Sequence, residues 1–395
     1  MAHKALKDSL KSSRILVVDD QKFNIILLTK LLKEMGFTSI VTASNGVEAL
    51  EKTKAFRPDI IILDLLMPEM DGFEYCRKLR QIPEFENIPI LVQTILGSSD
   101  EKAKAFECGA SDFISKPIDH EEFIARIIVH TETQRLYNDL KASQERISHE
   151  LMAARDMQMT LVPSRELIAG IFAAHQMEIM SCFQPSFELG GDIWGCRSLS
   201  KNELAVYIAD FSGHGVSAAL NTFRLQALIE AHPQKDIDPG TYLTLINNDL
   251  RKMLNRGQFA TMFYGIINHQ DETIRYATAS TPSPIILEKN APHVTMLNGN
   301  GFPLGVLDTV YETKIARFSR GSMLMIYSDA LIETEDTNGQ FFSETAIAET
   351  LKDLYLEPHE FQTQYVFSTF MKKFNDEYMS RVKDDLTIAV INNPQ

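Results

Sequence analysis

FELGGDIWGC (Phe187–Cys196) and LAVYIADFSGHG (Leu204–Gly215) are the two stretches that decide the fold of the C-terminal half of this chain. Each sets one aspartate, Asp192 or Asp210, beside glycines. Ala205 to Ala209 alternates and is β-prone, so Asp210 is expected where a strand opens into a Gly-rich turn. Gly213 and Gly215 let the backbone approach closely there, and Ser217 to Ala231 reads as a helix. Two further acidic sites follow the same grammar. MLMIYSDA puts Asp329 at the end of a strand, and RVKDDLTIAVI puts Asp384 and Asp385 at the start of one. Carboxylates delivered from strand ends, with a backbone carbonyl nearby, make a hard all-oxygen site suited to Mg²⁺ or Mn²⁺. Taken singly, each of these motifs is more often an ordinary surface turn.

After Pro163 the pattern shifts towards strands. SCFQPS, LAVYIAD, TMFYGIIN, TIRYATAS, SPIILE, TKIARFS, MLMIYSD and LTIAVI are short β-rich runs. Helices are expected over Val216–His232, Thr241–Asn255, Glu344–Leu354 and Glu360–Ser380. Many strands without regular crossover helices predict an antiparallel sandwich with helices outside, an α+β layering.

Four motifs in order narrow the reading. GGDIW, ADFSGHG, SDALIET and DDLTIAVI resemble the metal-dependent PPM protein phosphatases, in the bacterial SpoIIE/RsbU-type branch, over roughly residues 150–393. The resemblance implies an αββα sandwich over 164–393 that holds two ions, Mn²⁺ or Mg²⁺, between its sheets at one edge. It implies that Asp210 bridges both ions and that the Phe211 carbonyl and Asp192 complete one site. Asp329 and Asp384 then hold the other ion, with Asp385 in support. Two ions sharing a carboxylate lower the pKa of a bound water, so no side-chain nucleophile is needed. His214 is either a proton donor to the leaving alkoxide or a solvated loop histidine. Gly195 stands where an acid is frequent in the family, and Ala330 where a glycine is usual. GNGFPLGV (Gly299–Val306) resembles the family's glycine-proline loop beside the substrate channel, and equally reads as a turn.

The N-terminal part has a different rhythm. Residues 14–130 alternate apolar runs with helical stretches, among them Phe23–Met35 and Gly46–Phe56. Strands alternating with helices imply a doubly wound parallel sheet, and ligands bind outside the carboxyl ends of such strands. Asp19 and Asp20 end the first run, Asp64 the third, Thr94 the fourth and Lys116 the fifth. Five polar residues on one edge make an acidic pocket with one lysine, able to hold Mg²⁺ while a carboxylate attacks a phosphoryl group. These residues resemble response-regulator receiver domains over 13–132. The resemblance implies that Asp64 is the phospho-acceptor and that Asp19, Asp20, Asp64 and the Leu65 carbonyl hold Mg²⁺. Thr94 and Lys116 would contact the phosphoryl oxygens, and Phe113 is the aromatic switch. Ile95 departs from a usually small residue, and its bulk would slow access to Asp64.

Between these parts, Glu121 to Leu161 contains neither glycine nor proline, longer than ordinary globular helices. Tyr137, Leu140, Ile147, Leu151, Ala154 and Leu161 fit a heptad, with Gln144 and Gln158 at two of its core positions. A coiled-coil linker over 121–163, pairing two copies in a parallel homodimer, is expected. A single amphipathic helix packed on its own domain is the alternative.

The 395 residues carry a formal charge of −14 and a pI near 5.2. That balance argues against nucleic acid, whose phosphates need a basic face. Cys76, Cys108, Cys182 and Cys196 form no paired framework, as a reducing cytoplasm leads one to expect. No apolar run approaches the about 18 residues of a membrane span, so no membrane partner is expected. The partners implied by resemblance are a cognate sensor histidine kinase and a phosphorylated anti-sigma-factor antagonist of the STAS type. A non-catalytic adaptor binding a sigma factor or anti-sigma partner is the competing reading, and a DNA-binding regulator is a third.

Overall fold

The computed structural model describes residues 10–95, 99–288, 294–336, 339–356 and 362–393. The chain divides into two compact units, Met1–Ile147 and Ser148–Gln395.

The first unit is built on strands β1 (Arg14–Val18), β2 (Ser39–Ala43), β3 (Ile60–Asp64), β4 (Ile90–Ile95) and β5 (Asp112–Lys116). They form one parallel sheet in the order β2-β1-β3-β4-β5. Its strands read as unbroken apolar runs because both faces are covered. Leu16, Val18, Ile61 and Leu63 pack into one core, while Ile15, Val17, Ile60 and Ile62 pack into the other. The helices between them are α1 (Lys22–Glu34), α2 (Gly46–Phe56), α3 (Gly72–Arg80) and α4 (Ser99–Glu107). Asn45 caps α2 by accepting from the Glu48 N–H, and Asp71 caps α3 by accepting from the Glu74 N–H.

Helix α5 (His120–Met159) has no Gly or Pro to stop it and runs past the boundary between the units. Within the first unit, Arg126 and His130 both hydrogen-bond the Asp112 carboxylate. Beyond them Leu136, Tyr137, Leu140 and Ile147 are exposed. The heptad reading needs correction at its far end. Gln158 is buried inside the second unit, and Leu161 packs against that unit's own core. These two seam positions belong to intramolecular packing, because helix α5 lays one edge on the domain it enters.

The second unit opens with α6 (Arg165–His175), which the strand-rich reading passed over. One sheet has β7 (Asp192–Ser198), β8 (Glu203–Phe211), β9 (Ala260–Asn268), β10 (Thr273–Ala279) and β13 (Lys314–Arg317), in the order β13-β10-β9-β8-β7. The other has β6 (Glu178–Gln184), β11 (Ile285–Glu288), β12 (Val294–Met296), β14 (Ser322–Tyr327) and β15 (Leu386–Asn393), in the order β12-β11-β14-β15-β6. Every strand pair in both is antiparallel.

The two-residue period of a strand sorts its side chains into three cores. In β8, Leu204, Val206 and Ile208 face the other sheet, where they meet Leu324 and Ile326 of β14. Ala205, Tyr207 and Ala209 face outward, under α7 (Val216–Ala231) and α8 (Pro239–Met253). On the far side Met323, Met325, Ile388 and Val390 lie under α10 (Glu344–Leu356) and α11 (Gln362–Glu377), with the short α9 (Ala330–Glu333) at the sheet edge. Helix, sheet, sheet and helix therefore stack as the expected αββα sandwich. No helix among the described residues is long and apolar enough to cross a membrane, and all four cysteines are free.

Candidate functional site

In the first unit the parallel sheet delivers its polar residues to one edge. Asp19 follows β1 and is fully buried, Asp64 ends β3 and is 6% exposed, and Asp20 lies exposed beside them. Carboxylate oxygens of Asp19, Asp20 and Asp64 all lie within 4.8 Å of one another, close enough to share one cation. Lys116, at the end of β5, places Nζ 2.8 Å from Asp64 Oδ2 and 3.5 Å from Asp19 Oδ2. Burial raises the Asp64 carboxyl above its ordinary range, Lys116 pulls it back, and the charge of Asp19 adds to the rise. Thr94 is buried at the end of β4. The Arg126 guanidinium sits 4.8 Å from the centre of the Phe113 ring. The side chain of Ile95, invoked above for access to Asp64, lies outside the described residues.

Two details escaped the sequence. Asn24 Nδ2 donates to both Asp19 oxygens, at 3.1 and 3.0 Å, and the Gln21 N–H donates to Asp19 Oδ1 at 2.8 Å. An amide five residues past an acid has no signature until a helix brings it round. The Leu65 carbonyl accepts a 3.0 Å hydrogen bond from the Gly72 N–H, so part of its accepting capacity is already committed to the start of α3.

In the second unit Asp192 is the first residue of β7 and pairs directly with Asp210 of β8. Strand β7 was not anticipated, since Gly195 interrupts its apolar alternation. The glycine makes room: a Cβ there would lie 2.3 Å from the Tyr207 ring, whose hydroxyl donates to Gln226. Asp210 lies inside β8 rather than beyond its end, and Gly213 continues the turn at φ 91°, a conformation that favours glycine. Gly191 is required by close approach, because a Cβ would stand 2.9 Å from the Phe211 carbonyl oxygen.

Asp329 lies between β14 and α9, where its side chain makes no capping hydrogen bond, while Asp384 and Asp385 precede β15. Ser328 knits these segments: its hydroxyl donates to the Asp385 carbonyl and accepts from the Thr387 N–H, each at 2.9 Å. Ala330 has no positive φ, so an alanine sits there without backbone strain. Asp385 holds the loop before β7. Its Oδ1 accepts from the Ser186 N–H at 2.7 Å and hydroxyl at 3.0 Å, and its Oδ2 accepts from the Gly191 N–H. His214 is exposed and stacks on Phe187 at 4.8 Å between ring centres.

The electrostatics are those of a self-repelling cluster. Asp192 is 1% exposed, and its Oδ1 has no hydrogen-bond partner while Oδ2 accepts from the Thr387 hydroxyl. Burial, then the neighbouring Asp210, push its carboxyl well above the ordinary range. Asp210 is raised to about 8 by burial, then by Asp329, Asp384 and Asp385. Asp329 is raised to about 6 by burial, then by Glu333 and Asp384. A buried carboxylate oxygen without a donor is the kind of hard oxygen ligand a divalent cation takes. Among the described residues, however, only Asp19, Asp20 and Asp64 bring three carboxylate oxygens within 4.8 Å of one another, and Asp192, Asp210, Asp329 and Asp384 are not gathered so closely. The first half of GNGFPLGV, Gly299–Phe302, lines a cavity of about 280 Å³ with Tyr276–Thr278 and Thr309–Glu312.

Comparison with known proteins agrees with this division. Residues 15–128 match the family described as response regulator receiver domain, and residues 200–394 match Stage II sporulation protein E (SpoIIE). The response regulator PleD of Caulobacter vibrioides is 41% identical over 131 residues, 33% of this chain and 28% of that protein. The alkaline phosphatase synthesis transcriptional regulatory protein PhoP of Bacillus subtilis is 39% identical over 116 residues, 29% of this chain and 47% of that protein. The chain thus spans less than half the length of either relative. The SiaA-PP2C domain of Pseudomonas aeruginosa superposes with a TM-score of 0.54 at 22% identity, covering 64% of this chain and 98% of that one, a likeness of fold.

The raised carboxyls set a pH dependence. A proton held more tightly in the folded than in the unfolded chain stabilises at low pH, and that stability is lost as pH rises through the folded pKa. For Asp329 and Asp210 the loss spans the interval up to about 8. With cations chelated, the urea midpoint of the second unit is expected to fall between about pH 5.5 and about pH 8.5. An equal or higher midpoint at the upper pH would show that the acids do not repel one another.

Proposed function

Because the chain joins a response regulator receiver domain to a SpoIIE-type domain of the PPM phosphatase family, we propose that it is a phosphorylation-controlled regulator. Its output domain hydrolyses phosphoserine or phosphothreonine on a partner protein. The observation that carries this reading is the cross-strand pair of buried Asp192 and half-buried Asp210, with one Asp192 oxygen lacking any donor. In this reading Asp192, Asp210 and the Phe211 carbonyl hold one ion, and Asp210, Asp329 and Asp384 hold a second. Two Mn²⁺ or Mg²⁺ ions there supply an activated water and a clamp on the phosphoryl oxygens. Asp385 keeps its own oxygens on Ser186 and Gly191, and so fixes the loop that carries Asp192. His214, exposed on the turn after Asp210 and stacked on Phe187, is in this reading either the proton donor to the leaving alkoxide or a solvated loop histidine.

In the receiver, Asp64 takes a phosphoryl group from a sensor histidine kinase while Asp19, Asp20 and the Leu65 carbonyl help to hold Mg²⁺. Lys116 and Thr94 steady the phosphoryl oxygens, and Phe113 is the switch residue. The substrate of the output domain is a phosphorylated STAS-type anti-sigma-factor antagonist in the cytoplasm. Exposed Tyr137, Leu140 and Ile147 on α5 supply a seam for a homodimer. A non-catalytic adaptor is the reading to which failure of the assay below points.

Two measurements test these roles. Phosphate release from a phosphoserine protein should require Mn²⁺ or Mg²⁺, and Asp210→Asn should lower it by more than about 100-fold, since even an outer partner of a metal is worth about 10- to 100-fold. Undiminished release by that variant under chelation would rule out this mechanism, whereas no release by the parent protein with either ion would leave the adaptor reading. Beryllofluoride should occupy the receiver in a Mg²⁺-dependent way, and Asp64→Ala should abolish this. Retention of the mimic by the variant would place the acceptor elsewhere.

A further inference from the structure

The cavity of about 280 Å³ on the second unit is separate from the acidic cluster, since none of Asp192, Asp210, Asp329 and Asp384 lines it. One wall is Tyr276–Thr278 of β10. Tyr276 is the last residue that β13 pairs, so beyond it the strand edge is left to the loop Gly299–Phe302. Glycine lets that loop lie directly on the strand. A Cβ at Gly299 would stand 1.5 Å from Thr278 Oγ1, and one at Gly301 would stand 2.1 Å from the Thr278 carbonyl oxygen.

Three polar groups at this cavity are not used up within the chain. Thr278 is 6% exposed, and its hydroxyl has no hydrogen-bond partner. A buried hydroxyl left unmet is costly, so few are tolerated without a reason. Glu312 and Lys314 also line the cavity, two residues apart where the chain enters β13. That spacing puts both on one face. Thr313 between them turns the other way and accepts from the Gly240 N–H of α8 at 2.8 Å. The two charges are opposite, yet among the described residues neither belongs to an ion pair, with each other or with any other group. Lys314 Nζ donates to the Asn298 carbonyl at 3.0 Å, one bond from a group that carries three donors.

A lone anion here would satisfy Lys314 and be repelled by Glu312, and a lone cation would do the reverse. A molecule with both charges answers both residues. The remaining lining is apolar, and Phe302 and Val310 are exposed on it, Val310 by 79%. The volume is just below the ~300 Å³ at which sites for drug-sized molecules begin, so the occupant is small.

We propose that this cavity binds a free L-amino acid with an apolar side chain. Its carboxylate pairs with Lys314 and its ammonium with Glu312, the Thr278 hydroxyl gains the partner it lacks, and its side chain covers Phe302 and Val310. Binding there does not depend on how the four acids are read.

The test starts with the melting temperature of the full chain in the presence of each common L-amino acid in turn. An apolar one is expected to raise it, because a ligand held only by the folded state stabilises that state. Calorimetric titration then compares this amino acid with the same carboxylic acid lacking the ammonium and the same amine lacking the carboxylate. Each analogue should bind about 10- to 100-fold more weakly, the usual worth of a hydrogen bond to a charged group. Glu312→Gln should weaken the amino acid by a similar factor and leave the acid lacking the ammonium no weaker than before. Lys314→Met should do the same for the amine lacking the carboxylate. If Lys314→Met does not fold, Glu312→Gln, at an exposed position, carries the reading alone. Absence of binding by every amino acid overturns the proposal, and so does binding that a folded Glu312→Gln protein leaves unchanged.

Discussion

Asp192, fully buried, and Asp210, half-buried, face each other across a strand pair, and several contacts of the second unit hold them there. Two carboxylates side by side under burial cannot both ionise cheaply. The fold nevertheless commits several devices to keeping them adjacent. Gly190 and Gly191 let Asp385 and the Phe211 carbonyl approach within a distance that any Cβ would block. Asp385 spends both its oxygens on the loop before β7. Ser328 ties the Asp329 segment to the start of β15. Strain and repulsion of this kind persist only where the surrounding structure over-determines them, and they mark functional sites.

The receiver solves a related problem differently. Asp19, Asp20 and Asp64 also crowd together, but Lys116 reaches Asp64 and Asp19 and supplies part of the missing positive charge. The receiver pocket is therefore partly neutralised by its own chain, whereas the charges acting on Asp210 and Asp329 are other carboxylates. That contrast is what the chemistry proposed for each would need. A pocket that accepts a phosphoryl group gains from a lysine that can turn to it. A site that activates water needs its positive charge to be an ion.

How much of this was legible in the sequence depended on period and distance. The receiver's parallel sheet was readable because its strands appear as short apolar runs, four of the five ending in a site residue. The sandwich was readable for β8, β14 and β15 for the same reason, and their acids fell close to the expected positions. Strand β7 was missed because Gly195, needed to admit Tyr207, breaks the alternation. Helix α6 was missed under a general drift towards β-prone residues. Gln158 was assigned to a coiled-coil seam, since its spacing fits a heptad. Its true partner is 32 residues away at Gly190, and no local pattern encodes that. Hydrogen bonds to backbone across long separations carry no sequence signature.

The central claim is that the four acids form a site that is incomplete without a divalent cation. It is tested most directly by the melting temperature of the second unit in the parent protein and in Asp210→Asn, each with chelator and with Mn²⁺. The account predicts a crossing. With chelator the variant melts higher, because one repelling charge is gone; with Mn²⁺ the parent melts higher, because binding to the folded state stabilises it. The same order of stability in both conditions would contradict the account.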